Sequence, residues 1–279
     1  MGQMPRATAN GIEIEYETFG DPKAAPLLLI AGLGAQMLSW DEDFCRLVAG
    51  RGFHVIRFDN RDVGLSTYVD GEYSLDDMAA DTVALLDALG IPAAHVAGAS
   101  MGGFIAQLVA LNHPDRVLSL ISMISGPNGE DQVRPTVEGA AVLTAMPPDT
   151  RDERIALGLW AKQRLLGPAD PFDAEDEERR IAAAVDRAYN PAGFGRQLQA
   201  IMGADGRLAR LGSISVPALV IHGDADILVP VENGRNVAAA IPGARLLEIE
   251  GMGHDLPRRV WPQVADAIAE LARHASPAC

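Results

Sequence analysis

Ser100 stands in the run Gly98-Ala99-Ser100-Met101-Gly102, between an apolar stretch ending at Ala97 and a helically spaced set, Phe104, Ile105, Leu108, Val109 and Leu111. A strand, a serine with glycine two residues away on each side, and a helix describe a tight turn that presents the hydroxyl. With ten serines and glycine at one residue in ten, about 0.1 such matches would arise by chance, so the setting must carry the reading. The plainer alternative is a serine that only caps the helix after it. A serine hydroxyl is a weak nucleophile near neutral pH and needs a base, most often histidine, oriented by a carboxylate. Among six histidines, His254 follows the last strand in the glycine-rich loop Gly251-Met252-Gly253-His254. His54 and His95 begin strands, His113 precedes Pro114 at a helix end, and His274 is close to the carboxyl terminus. His222 ends a strand, where hydrogen bonding to a loop is its expected role. His254 is therefore read as the base. Asp226, three residues past Gly223 and four before Pro230, is favoured over Asp224 as the orienting carboxylate. Asp224 suits a cap or solvent, and Asp255 is read as a surface or loop-closing carboxylate. The backbone amides of Met101 and Leu33 are expected to hold the oxyanion that forms when the serine attacks a carbonyl carbon.

Three loops far apart in the chain must meet for this chemistry. Asn10-Gly11 predicts a hairpin, after which Ile12, Ile14 and Tyr16 alternate with glutamates. Buried strands are predicted at Leu27–Ile30, His54–Phe58, the stretch before Ser100, Val117–Ile124, Pro217–Ile221 and Arg245–Ile249. Amphipathic helices fall between them, one opened by a Ser74–Asp77 capping box and the last running from Val260 to His274. Asp59 to Ser66 reads as a polar loop. Such alternation predicts an α/β fold, a mostly parallel eight-stranded sheet flanked by helices, with ligands bound beyond the carboxyl ends of its strands. The loops after Ile30, Phe58 and Ala97 then share one rim. Between residues 126 and 212 the alternation fails, and helices are predicted at Thr136–Ala145, Arg151–Leu165, Ala174–Tyr189 and Gly193–Met202. This segment is read as a helical lid inserted into a core made of residues 1–125 and 213–279. Trp160, Phe172, Tyr189 and Phe194 are candidates to line an apolar pocket, with Trp160 and Phe194 taken as substrate contacts; simple packing of the lid is the competing account.

Composition narrows the class. The 279 residues are 48% hydrophobic and carry 23 basic against 38 acidic side chains, a net charge of −15. Nucleic acid and anionic membrane demand a basic face and are disfavoured. No apolar run approaches the ~18 residues of a membrane span, and the start, Met1-Gly2-Gln3-Met4-Pro5-Arg6, has no signal-like segment behind it. Cys45 and Cys279 are too few for a disulfide framework and lack metal-ligand spacing. The expected compartment is the cytoplasm, the expected partner a small molecule, and no metal or cofactor is implied. A dinucleotide site at Gly32-Leu33-Gly34, with Asp59 as the ribose acid, fails at the third glycine position, which is Met37.

The chain resembles the α/β-hydrolase superfamily over nearly its whole length, with the order Ser100, Asp226, His254. The runs Phe58-Asp59-Asn60-Arg61-Asp62-Val63-Gly64-Leu65-Ser66, Gly98 to Gly103, and Gly251-Met252-Gly253-His254-Asp255-Leu256-Pro257 are similar to those of carboxylesterases of the aclacinomycin methylesterase-like group. The resemblance implies a serine hydrolase that cleaves a carboxylic ester of a small or medium hydrophobic substrate through an acyl-enzyme. Two positions depart from the pattern. Ala31 stands where many members carry histidine, and Asp255 stands where carbon–carbon-bond hydrolases of this fold carry tryptophan. Lactonase, acyltransferase, perhydrolase and C–C hydrolase chemistry share the scaffold, as does a ligand-binding receptor. A serine nucleophile argues against the dehalogenases and epoxide hydrolases, which use aspartate there.

Overall fold

The first two strands form a hairpin, β1 (Arg6–Ala9) and β2 (Ile12–Phe19), in the computed structural model, which describes residues 5–146 and 148–275. Cys279 and residues Met1–Met4 lie outside the described residues. Asn10 and Gly11, at φ 50° and 78°, supply the two left-handed positions that a two-residue hairpin turn requires. Six parallel strands follow: β3 (Ala25–Ile30), β4 (Phe53–Phe58), β5 (Ala94–Ala99), β6 (Val117–Met123), β7 (Ala218–Gly223) and β8 (Arg245–Ile249). The sheet order is β1-β2-β4-β3-β5-β6-β7-β8, and only the β1–β2 and β2–β4 pairs are antiparallel.

Successive residues of a strand face opposite sides, and both sides of this sheet are dry. Leu28, Ile30, Ile56, Phe58 and Val96 pack with α2 (Leu75–Ala88), α3 (Met101–Asn112) and α9 (Val231–Ala240). Leu27, Leu29, Val55, Ala97 and Ile121 pack with α1 (Glu42–Ala49) and α10 (Trp261–Ala275). Continuous apolar runs such as Leu27–Ile30 therefore reflect burial on two faces. The predicted capping box of α2 is present, with Ser74 and Asp77 satisfying each other's backbone amides.

Between β6 and β7 the chain is helical: α4 (Val137–Leu143), α5 (Arg151–Leu165), α6 (Ala174–Arg187), α7 (Pro191–Met202) and a short α8 (Leu208–Leu211). Helix α7 begins two residues before the predicted Gly193 because Pro191 takes the first helical position and Asn190 caps Gly193. The short α8 has no counterpart in the predicted elements; four residues are too few for a periodicity. The loop predicted as merely polar, Asp59 to Ser66, is buried at Asp59, Asn60, Asp62 and Ser66. Arg187 of α6 pairs with Asp59 at 2.7 Å and Arg196 of α7 with Asp62 at 2.7 Å, so the helical segment both covers these carboxylates and compensates them. Among the described residues, no helix is long and apolar enough to cross a membrane.

Candidate active site

Ser100 joins β5 to α3 at φ 56° and ψ −121°, a strained backbone for a side-chain-bearing residue. The glycines around it answer to close backbone approach. A Cβ on Gly98 would run into the Gly102 carbonyl, and one on Gly102 into the Ile30 carbonyl, so both would collide with main chain. Ser100 makes no side-chain capping bond to α3, which removes the plainer role. Its Oγ instead lies 2.9 Å from Nε2 of His254. Ser125 Oγ donates to the Ser100 carbonyl at 2.8 Å and helps hold the turn.

The other ring nitrogen of His254, Nδ1, lies 2.7 Å from Oδ2 of Asp226. The remaining oxygen, Oδ1, accepts the Leu228 and Val229 amides at 2.9 and 2.8 Å. Burial alone would raise the Asp226 carboxyl, but the adjoining His254 and His222 outweigh it and hold the group well below the usual carboxylate range. His222 Nε2 meets the Val229 carbonyl at 2.7 Å and Asp226 Oδ2 at 3.4 Å, tying down the loop that carries the acid. Asp224 Oδ1 accepts the Gly251 amide at 2.7 Å, and Asp255 Oδ2 meets Lys162 Nζ at 2.7 Å. Neither carboxylate is bonded to the His254 ring, whose partners are Asp226 and Ser100. The three side chains Ser100, His254 and Asp226 thus come together, and the two rival aspartates stay outside.

The loop after β3 passes beside the serine: a Cβ at Gly32 would sit 3.3 Å from Ser100 Cβ and 3.8 Å from its Oγ. Leu33 follows directly. Met101 is the first residue of α3, where a helix has amides without helical partners. The adjoining Gly34 amide donates to Gln197 Oε1 at 2.8 Å, and Gln197 Nε2 donates to the Arg61 carbonyl at 2.9 Å. Sequence reasoning does not find Gln197. It lies 163 residues from Gly34, and its sole signal is an amide on the inward face of α7, between Phe194 and Ala200.

A cavity of about 580 Å3 lies between the sheet rim and the helical segment, its walls including Gly34 and Asp255, the chain neighbours of Leu33 and His254. Leu157, Leu165, Ile181, Tyr189 and Phe194 give it an apolar lining. Phe194 and Tyr189 are thus part of the cavity wall. Trp160 and Phe172 do not line it, which corrects the expectation for both. Trp160 lies on the other flank of α5 from Leu157, Ala161 and Leu165, and Arg164 covers its ring at 4.4 Å from the centroid.

Residues 25–257 match the model of the alpha/beta hydrolase fold family. Rhodomycin D methylesterase DauP of Streptomyces sp. (strain C5) is 36% identical, over 96% of this chain and 98% of that protein. A hydrolase from Pseudomonas aeruginosa PA01 superposes with a TM-score of 0.77 at 28% identity, covering 99% of both chains. The enol-lactonase from Burkholderia xenovorans LB400 does so at 0.74 and 27%, covering 97% of this chain and 99% of that one. A match across most of the length, on a sheet of this order, means that the chain belongs to the alpha/beta hydrolase fold family.

Proposed function

We propose that the protein is a serine carboxylesterase acting on a small or medium hydrophobic ester through a Ser100–His254–Asp226 triad. The observation that carries this reading is the unbroken relay of 2.9 Å from Ser100 to His254 and 2.7 Å from His254 to Asp226. His254 takes the Ser100 proton as Oγ attacks the ester carbonyl. The Met101 and Leu33 amides stabilise the oxyanion, and His254 then gives its proton to the departing alkoxide. Water, deprotonated by the same imidazole, attacks the acyl-enzyme and frees the acid. Asp226 keeps the imidazole in the tautomer whose Nε2 is free to accept, and it stabilises the imidazolium.

The helical segment 126–212 serves as the lid in this reading, and the cavity beneath it takes the apolar part of the substrate. The relationship to a methylesterase favours a small leaving alcohol, with the bulk of the molecule on the acyl side. The test is turnover of methyl esters and of p-nitrophenyl esters of rising chain length. Ser100→Ala should lower kcat by about 10⁴-fold or more. Equal turnover in wild type and Ser100→Ala would end the proposal. A second reading, lactone opening, rests on the structural likeness to an enol-lactonase and uses the same acyl-enzyme. A panel of lactones run beside the esters separates the two.

A further inference from the structure

We propose that the stretch Leu165–Asp170, where α5 ends, is a strap that positions His254; this rests on the reading of His254 as the base. The strap and the base loop touch main chain to main chain. A Cβ on Gly167 would overlap the Gly251 carbonyl and the Gly253 amide, and one on Gly253 would overlap the Leu165 carbonyl. The Ala169 amide donates to the Gly251 carbonyl at 3.2 Å. Ion pairs bracket this contact on both sides. Lys162 Nζ lies 2.7 Å from Asp255 Oδ2, one residue past His254, and Arg259 meets Asp170 at 2.8 and 3.0 Å.

On its other side the base loop is pinned to the loop that carries Asp226. Asp224 Oδ1 takes the Gly251 amide at 2.7 Å, and the Ala225 amide donates to the Met252 carbonyl at 3.1 Å. Gly251-Met252-Gly253-His254 is therefore sandwiched between the acid loop and a piece of the helical segment. Side chains at 167 or 253 would pry the two backbones apart. The consequence concerns motion: a lid swinging as one body would carry the base with it. The end of α5 stays seated, and any opening belongs to the parts of the segment away from it. Lys162 and Gly167 act through His254 and are positioning residues.

The test has two arms. Gly167→Ala should lower kcat about a hundredfold, the cost of misplacing a reacting group by about 1 Å, while KM changes less than about threefold. Lys162→Met should lower kcat about tenfold, and Lys162→Arg should restore most of it. Gly195→Ala, at a helical glycine with open space around it, should leave kcat at the wild-type value. The second readout needs no substrate: the downfield proton resonance of the His254 Nδ1–H bond to Asp226 should shift or broaden in Gly167→Ala and Lys162→Met, and not in Gly195→Ala. Wild-type kcat and an unmoved resonance in both strap variants would overturn the strap and leave the esterase reading intact. Absence of ester turnover in the wild type would remove the esterase reading, and the resonance would still decide the strap. If Gly167→Ala does not fold, the Lys162 pair decides alone.

Discussion

Asp226 is held through both oxygens: one serves His254, the other takes two backbone amides, and His222 stands 3.4 Å away. Replacing it by asparagine leaves the shape and reverses the polarity, since an amide NH₂ facing Nδ1 favours the tautomer with its proton on Nε2. Asp226→Asn should lower kcat for ester hydrolysis about 10³- to 10⁴-fold, measured beside a melting curve showing that the variant is folded. Loss of less than about tenfold would assign the carboxylate a structural role. Because its folded pKa lies below the ordinary 3.8, Asp226 adds stability that is complete above that value and is lost as pH falls through the folded one. Acid weakening at higher pH must come from elsewhere, and His95 is the group to examine. It is 3% exposed and bonds Ser119 at 2.8 Å, and burial lowers its pKa from 6.5 to about 4. The unfolded chain takes up that proton first, so stability falls as pH drops from 6.5 towards 4, by at most ~3 kcal/mol. His95→Gln should flatten the denaturation free energy across that window; an unchanged slope would show that His95 is not its source. At this scale the sequence was legible where chemistry leaves a local mark, as in the glycine spacing around Ser100 or the loop that ends in His254. Lys162 and Gln197 leave no mark of their roles, because these are defined by partners 93 and 163 residues away.

The parallel strands could be read because a sheet covered on both faces turns each strand into an unbroken apolar run, and Leu27–Ile30 or Ala218–Ile221 has no amphipathic rival. The helices of residues 126–212 were legible as helices but not in their seating. An amphipathic face reports that something covers it and not what does so. Helix α7 shows the difference. Its Phe194 faces the cavity, and Gln197, one turn on and fully buried, ties the Gly34 amide to the Arg61 carbonyl. Gln197→Ala would leave the Gly34 amide without its acceptor and free the loop that carries Leu33, the proposed second oxyanion donor. The expected result is a kcat about tenfold lower with KM little changed, a partial form of removing an oxyanion donor. Gln197→Glu, which retains the acceptor towards Gly34 and sets a charge against the Arg61 carbonyl, should instead lower the melting temperature. Equal kcat in Gln197→Ala and wild type would detach α7 from the oxyanion loop.

Across the whole molecule, 38 acidic side chains face 23 basic ones, and the basic ones are not spread evenly in their effect. Lys162, Arg180, Arg187 and Arg196, all from the helical segment, reach Asp255, Asp41, Asp59 and Asp62 of the sheet domain, and Arg259 returns the contact to Asp170. The Asp59 and Asp62 carboxylates are fully buried, so salt screens these pairs less than the exposed ones at the surface. The surplus negative charge is largely outside, where added salt screens it more strongly than it does the buried pairs. Raising NaCl from about 0.1 M to about 1 M shortens the Debye length from about 10 Å to about 3 Å. That change relieves repulsion among the surplus acids while sparing the buried pairs. The melting temperature should therefore rise, by about 2–4 °C for each kcal/mol of repulsion relieved, in a single transition followed by both tryptophan fluorescence and far-ultraviolet dichroism. A fall with salt, or a first transition in which the helical segment leaves before the sheet melts, would mean that the pairs joining them are as exposed to screening as those on the surface.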